Sequence, residues 1–260
     1  MGKIIEHIGI IGTGNLGTQI ATKADELNYE VLFVYNRSHD KAQELAGLVD
    51  AKALDSLEKI PPCDILFLTV PDHQIPIIIK EIIPQKEKLK DTIIVHCSGA
   101  TSIDVLKNFN WYGVFYPLQT FTKNKTPDWS HIPIFIEGLN PEISKTLEIF
   151  AGSFSNNILV LSSEERLKIH CGAVLVSNFV HALAHAALEV SEQQDFKKIY
   201  FPLILESIQK LQYFTPQECL TGPAKRKDTE TLQKHLSLIS NPEIQDFYKI
   251  ITQYIQKNMI

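Results

Sequence analysis

Cysteine is scarce in this chain of 260 residues: Cys63, Cys97, Cys171 and Cys219 are its four, and no two are spaced C-x-x-C. That scarcity excludes a disulfide-stapled framework and offers no cysteine zinc site. Positive charge is not in excess either. Lys and Arg number 25 against 30 Asp and Glu, for a formal net charge of −5. Basic residues are scattered apart from Lys225-Arg226-Lys227, so no nucleic-acid or anionic-membrane surface is expected. No uninterrupted apolar run reaches the ~18 residues of a membrane span. The N-terminus passes straight into a strand pattern, which leaves no room for a signal peptide. Repeats and low-complexity linkers are missing as well. These absences predict a soluble, cytoplasmic protein of a reducing compartment, with a length comfortable for two domains.

What is present is concentrated near the N-terminus. Ile4 to Ile11 reads as a buried strand, and Gly12-Thr13-Gly14-Asn15-Leu16-Gly17 follows it and opens a helix over Thr18 to Leu27. An apolar, β-branched run is what a strand covered on both faces looks like. In a G-x-G-x-x-G turn, Gly12 permits the tight bend and Gly14 lets the backbone approach a pyrophosphate. Gly17 lets helix and strand pack closely, and the helix N-terminus faces the anion. The second strand, Val31 to Tyr35, ends at Asn36-Arg37-Ser38. NAD sites place a carboxylate about there to hold the ribose 2′-hydroxyl. Its absence removes a repulsion, and a guanidinium with a hydroxyl grips a 2′-phosphate. The loop therefore predicts NADP over NAD.

The rest of the first half alternates strand and helix, which implies a parallel sheet covered on both faces. Helices are expected near 39–48 and Ile75–Ile83, with strands near Ala51–Ala53, Asp64–Val70 and Thr92–His96. Trp111–Tyr116, Ile132–Ile136 and Asn157–Leu161 read as further strands, and Glu142–Gly152 as a helix. From residue 162 the pattern becomes helical. Ser162 and Glu165 have capping-box spacing and begin a helix expected to run to about Gln193. Helical patterns then cover 196–211, 228–239 and 242–258. The fold class is α/β: a dinucleotide-binding domain over 1–161, then a mainly α-helical domain over 162–260. Ligands of such sheets bind beyond the carboxyl ends of the strands. That rule selects the glycine turn, Asn36–Ser38, Val70-Pro71-Asp72-His73 and His96-Cys97-Ser98-Gly99-Ala100.

These motifs resemble the group of pyrroline-5-carboxylate reductases, F420-dependent NADP oxidoreductases and β-hydroxyacid dehydrogenases. The later motifs narrow the match. His96-Cys97-Ser98-Gly99-Ala100, Tyr116-Pro117-Leu118-Gln119-Thr120-Phe121 and Gly222-Pro223-Ala224-Lys225-Arg226-Lys227-Asp228 resemble Rossmann-like NADP oxidoreductases with a DUF2520 C-terminal domain. The resemblance covers nearly the whole chain. It implies a Rossmann domain, a helical second domain and a homodimer formed through it. Hydride transfer between nicotinamide and a small carbonyl, imine or alcohol is the implied reaction. Implied cofactor contacts run over Gly12–Gly17, Asn36–Ser38, Val70–Asp72 and Cys97. One departure stands out. β-Hydroxyacid dehydrogenases carry a catalytic lysine four residues before an asparagine, and here Val174 precedes Asn178 at that distance. The alternative is therefore an NADP-binding regulatory or scaffold protein without turnover.

The long helix bears a polar stripe. At 100° per residue His170, Ser177 and His181 lie within about 40° of each other, with His185 near the edge and Asn178 on the flank. His170 is the candidate proton-transfer residue and Asn178 a candidate ligand of substrate or carboxamide. The same stripe fits a helix–helix or dimer contact, and His181 and His185 read first as packing. His181-x-x-x-His185 also has metal spacing, but without further ligands no metal is expected. Ser98 is the third catalytic candidate, at the end of a central strand, with Ser102 the better cap for the segment that follows. Ser98 and His170 are expected on opposite walls of an interdomain cleft. Arg226 reads equally as an anion ligand or part of a solvated turn.

Overall fold

The protein is described by a computed structural model over residues 3–260. It divides into two compact units, the first ending at Val174 and the second spanning Leu175–Ile260. The first unit carries β1 (His7–Ile11), α1 (Asn15–Glu26), β2 (Glu30–Tyr35), α2 (His39–Leu48), β3 (Lys52–Leu54) and β4 (Ile65–Leu68). It continues through α3 (Ile75–Ile82), β5 (Ile93–His96), β6 (Trp111–Pro117), β7 (Ile134–Gly138), α4 (Pro141–Phe154), β8 (Ile158–Val160) and most of α5 (Ser163–Val176).

The strands form one sheet in the order β3-β2-β1-β4-β5-β6-β7-β8. Every pairing is parallel except β6 with β7. Alternation along the strands divides their side chains between two cores. Ile65, Phe67, Ile93 and Val95 face one, with Phe115 and Phe150. Leu66, Leu68 and Ile94 face the other, with Ile75 and Ile79 of α3. All four residues of β4 are buried, as a strand covered on both sides must be. Phe67 and Phe115 meet edge to face at 5.3 Å, a geometry that adds to their area burial.

The change of sequence character at 162 and the end of the first unit at Val174 do not coincide. The first turns of α5 are tied to the sheet. Ser162 and Glu165 form the reciprocal capping pair, with Ser162 N–H donating to Glu165 at 2.9 Å and Glu165 N–H to the Ser162 hydroxyl at 3.3 Å. Arg166 is buried and bonds to Glu137 and to the Thr101 carbonyl, which anchors α5 on β7 and on the turn after β5.

The expected single helix to Gln193 is broken. Ser177, at φ −120° and ψ −72°, separates α5 from α6 (Asn178–Ser191), so the phase of the polar stripe is interrupted before Asn178. By length and composition alone the 29-residue stretch Ser163–Ser191 contains a segment long and apolar enough for a membrane span, 18 residues with a mean hydropathy of 1.5. Scattered polar residues interrupt every apolar run there, but the average over 18 residues is still high.

The second unit continues with α7 (Phe196–Ile199), α8 (Phe201–Lys210), α9 (Pro216–Cys219), α10 (Gly222–Arg226), α11 (Thr229–Leu238) and α12 (Pro242–Asn258). Side-chain caps start several of them: Asp195, Thr215 with Glu218 in a capping box, Asp228 and Asn241. The segment read as a turn around Arg226 is helical. Gly222, at φ +90°, bends the chain, Pro223 opens the helix, and the Lys225 ammonium donates to the Leu220 carbonyl at 2.9 Å.

Candidate cofactor and proton-transfer site

Strand register lines up the ends that matter. Tyr35 pairs with Ile11, Ile11 with Leu68, Leu68 with His96 and His96 with Val114. Gly12, Asn36, Thr69 and Cys97 therefore leave the sheet at one level. The glycine turn sits where the strand order reverses between β1 and β4, the place such sheets bind ligands. Gly12 has φ +110°, and a Cβ there would meet the Thr69 carbonyl at 2.8 Å. The Thr69 hydroxyl donates to the Gly12 carbonyl at 2.8 Å and holds the turn. A Cβ on Gly17 would collide with the Gly12 carbonyl, so this glycine is required by packing. A Cβ on Gly14 would meet nothing within 4 Å: the space beside it is open.

That open space fits a dinucleotide. Gly14 is the N-cap of α1 and no side chain caps the helix, so its first N–H groups are available to an anion. The Thr13 hydroxyl is buried without a partner. A cleft of about 730 Å³ runs from Gly12, Thr13 and Gly14 to Asn36, Arg37 and Ser38. Ser38 is the N-cap of α2 by position, but its hydroxyl accepts no helix N–H. That leaves it free to face the cleft. Val70 and Pro71 line the same space.

The side chains of other predicted contacts point elsewhere. Leu16 packs on the core and Cys97 is buried in it, where burial pushes the Cys97 thiol well above its usual range. Asn15 donates to the Phe121 carbonyl at 2.9 Å. Asp72 begins a short 3-10 turn and does not line the cleft, whereas His73, at the end of the same predicted strand-end segment, does, with Gln74 beside it. Sequence reading missed Lys41, Glu81 and Lys123, which also line it.

The candidate proton-transfer residues gather one strand over. Ser98 is not the free hydroxyl expected. Its Oγ accepts the N–H groups of Ala100 at 3.1 Å and Thr101 at 2.9 Å, so it caps a turn, while Ser102 caps the next. His170 packs against this turn within the first unit: a Cβ on Gly99 would come within 2.5 Å of His170 Nδ1 and 2.8 Å of Tyr116 Cζ. Gly99 is thus what admits a Tyr116–His170 pair, whose Oη and Nδ1 are 2.9 Å apart. From sequence Tyr116 stands where the resembling family commonly has His-Pro-Leu, a departure that argued against an acid/base role there. Burial, reinforced by Asp72 and opposed by Arg166, pushes its phenol up to about 12. His96 is fully buried; burial, with Arg166 adding, pushes it down to about 3, so it is neutral. Asn178 begins α6 in the second unit. Among the described residues no three His, Cys, Asp or Glu side chains converge as a metal site.

Residues 7–99 match the family described as NADP oxidoreductase, coenzyme F420-dependent, and residues 132–255 match the domain of unknown function DUF2520. No curated protein matches the sequence. Among solved structures, a "putative NADP oxidoreductase" from Bacteroides fragilis superposes with a TM-score of 0.90 at 29% identity, covering 98% of this chain and 99% of that one. An imine reductase from Myxococcus stipitatus, in complex with NADP+, superposes at 0.66 and 14% identity over 97% and 95% of the two chains. A pyrroline-5-carboxylate reductase from Coxiella burnetii does so at 0.60 and 14% over 99% of each. The last two establish a shared fold.

Proposed function

For a chain that joins an NADP oxidoreductase domain to a DUF2520 domain, we propose oxidation or reduction of a small carbonyl, imine or alcohol, with Tyr116 and His170 handling the proton. The 2.9 Å contact between Tyr116 Oη and His170 Nδ1, beside the Ser98–Gly99 turn, carries this reading. Bound NADP supplies or takes up the hydride. The chain's residues do the rest. The glycine turn and the N-terminus of α1 hold the pyrophosphate, and Arg37 with Ser38 favours the phosphorylated ribose.

Tyr116 stays a protonated phenol at neutral pH because burial has raised its pKa to about 12. Its O–H can point to a substrate oxygen or nitrogen while His170 Nδ1–H supports its oxygen, or it can donate to His170. When the phenol gives its proton to the substrate, His170 Nδ1–H refills the phenolate oxygen, so two protons move in the same direction and His170 regains its own from solvent. Ser98 accepts two N–H groups and still has its own O–H to donate, which fits an orienting contact to a substrate oxygen. The test is oxidation of NADPH with a panel of keto acids, aldehydes and cyclic imines, followed by reduced-nicotinamide absorbance. Turnover that falls in Tyr116→Phe at unchanged NADPH affinity supports the assignment; unchanged turnover removes Tyr116 from it. NADPH binding without turnover on any substrate favours the regulatory alternative suggested by Val174.

The cytoplasmic homodimer belongs to the same proposal. In the second unit only Ala224, Leu232 and Ile239 are buried among the described residues, while Phe201, Leu203 and Ile208 of α8 are exposed. Apolar faces of that extent call for cover, and a second copy of the same unit would provide it. Light scattering that finds a monomer at micromolar concentration with NADPH bound refutes the dimer.

A further inference from the structure

We propose that Lys123, carried on the segment between β6 and β7, is a ligand of the phosphate that distinguishes NADP from NAD. The inference rests on the NADP reading of Arg37 and Ser38 and extends it to a distant part of the chain. The β6–β7 connection is pinned across the first turns of α1. Asn15 donates to the Phe121 carbonyl at 2.9 Å, and the buried Gln19 carboxamide donates to the Thr122 carbonyl at 2.8 Å, with those of Lys123 and Lys125 at 3.3 Å. Phe121 stacks on buried Trp129 with centroids 5.3 Å apart. Thr122 and Lys125 form an isolated bridge, which leaves Lys123 and Asn124 as the tip of a tight turn. The tip is therefore held in place, and its lysine is presented from a fixed backbone.

The ammonium is directed at the right end of the cleft. Lys123 lines the same space as Arg37, Ser38 and Lys41. Its Nζ lies 3.8 Å from Glu44 Oε2 on α2, one helical turn beyond Lys41 on the same face. The pyrophosphate end of the cleft is the glycine turn at α1, whereas Glu44 belongs to α2, the helix that Ser38 opens. The pairing with Glu44 is loose, between groups 36% and 64% exposed, and such a pair contributes little. A phosphate dianion held by Arg37 would be the stronger partner, so Lys123 would exchange Glu44 for it. Asn15 and Gln19, which belong to the glycine-motif helix, thus also position a third cation for the other end of the cofactor.

Calorimetric titration with NADPH and NADH tests this on the parent, Lys123→Gln, Glu44→Gln and Arg37→Gln. Lys123 is partly exposed, and thermal melting verifies that each variant folds. Expected is an NADPH affinity about tenfold lower in Lys123→Gln, the scale of one charge-assisted bond, with NADH affinity unchanged. Glu44→Gln should bind NADPH more tightly than the parent. Equal losses for both nucleotides in Lys123→Gln would overturn the assignment, as would no loss for NADPH. Failure of the parent to prefer NADPH, or a preference that survives Arg37→Gln, would strike the NADP reading itself. A preference erased by Arg37→Gln and untouched by Lys123→Gln would strike this inference alone.

Discussion

The two units solve the burial problem differently. In the first, apolar side chains alternate across a central sheet and helices of the same unit cover both faces, so Phe67, Leu66 and Ile94 have no exposure. In the second, the helices are well capped and amphipathic, yet α6, α8 and α12 bury none of their residues. Local signals suffice to make helices in both units. Only the first has enough elements around its apolar surface to use it internally. The difference also locates chemistry: the rigid sheet edge carries the cofactor turn and the Tyr116–His170 pair, where small displacements are costly.

The comparison breaks most completely at the glycines. Gly17→Val should prevent folding of the first unit, because the new Cβ collides with the Gly12 carbonyl. Gly14→Val, in open space at φ −68° and ψ −176°, should fold normally and lose NADPH binding. Circular dichroism melting with calorimetry separates the two; retained affinity in folded Gly14→Val would make that turn merely structural. Next in size is the core. Phe67→Ala should destabilise by about 3–5 kcal/mol, with a melting shift independent of protein concentration. Leu203→Ala, at a 63% exposed site on α8, should instead make melting more concentration-dependent. Concentration-independent melting in both would end the distinction between the units.

Tyr116→Phe keeps the ring in place and removes the hydroxyl bonded to His170. Turnover should fall about a hundredfold or more, with the melting temperature little changed. The smallest effect concerns acid stability. Burial raises the Asp64 pKa, but the Glu6 and His7 N–H groups, with Lys3 and the His7 ring, outweigh it and hold the carboxyl below its usual value. A depressed folded pKa stabilises above the unfolded carboxylate pKa, and that stability is lost as pH falls through the folded value. Asp64→Asn should flatten the acid limb of a denaturation profile. Asp228→Asn, which replaces a half-buried helix cap of the second unit, should flatten it less. Parallel profiles for Asp64→Asn and parent would discount the ion cluster at β1.

Much of this was legible beforehand because it depends on short stretches of chain. The strands, the capping pair Ser162–Glu165 and the glycine turn follow from alternation, side-chain reach and φ requirements within a few residues. Arg37 and Ser38 were visible for the same reason. The exceptions are informative. Ser98 looked free because its acceptor role depends on how the chain bends at Ala100 and Thr101. The break at Ser177 has no Gly or Pro to announce it. Gly222–Arg226 contains helix-opening Pro223, which also reads as a turn.

Sequence by itself determined the α/β class, the glycine turn between β1 and α1, and the helical character of everything beyond residue 162. Periodicity and glycine geometry are local, and the later motifs added a resemblance. Tertiary structure decided which distant residues share a site. Sheet register carries Tyr116 to the turn after β5, buried Arg166 fastens α5 so that His170 meets it, and Gln19 latches the segment that brings Lys123 to the cleft that Arg37 also lines. None of these pairings leaves a periodic or spacing signal, because each joins segments whose separation along the chain places no constraint on their distance until the sheet and its connections have formed.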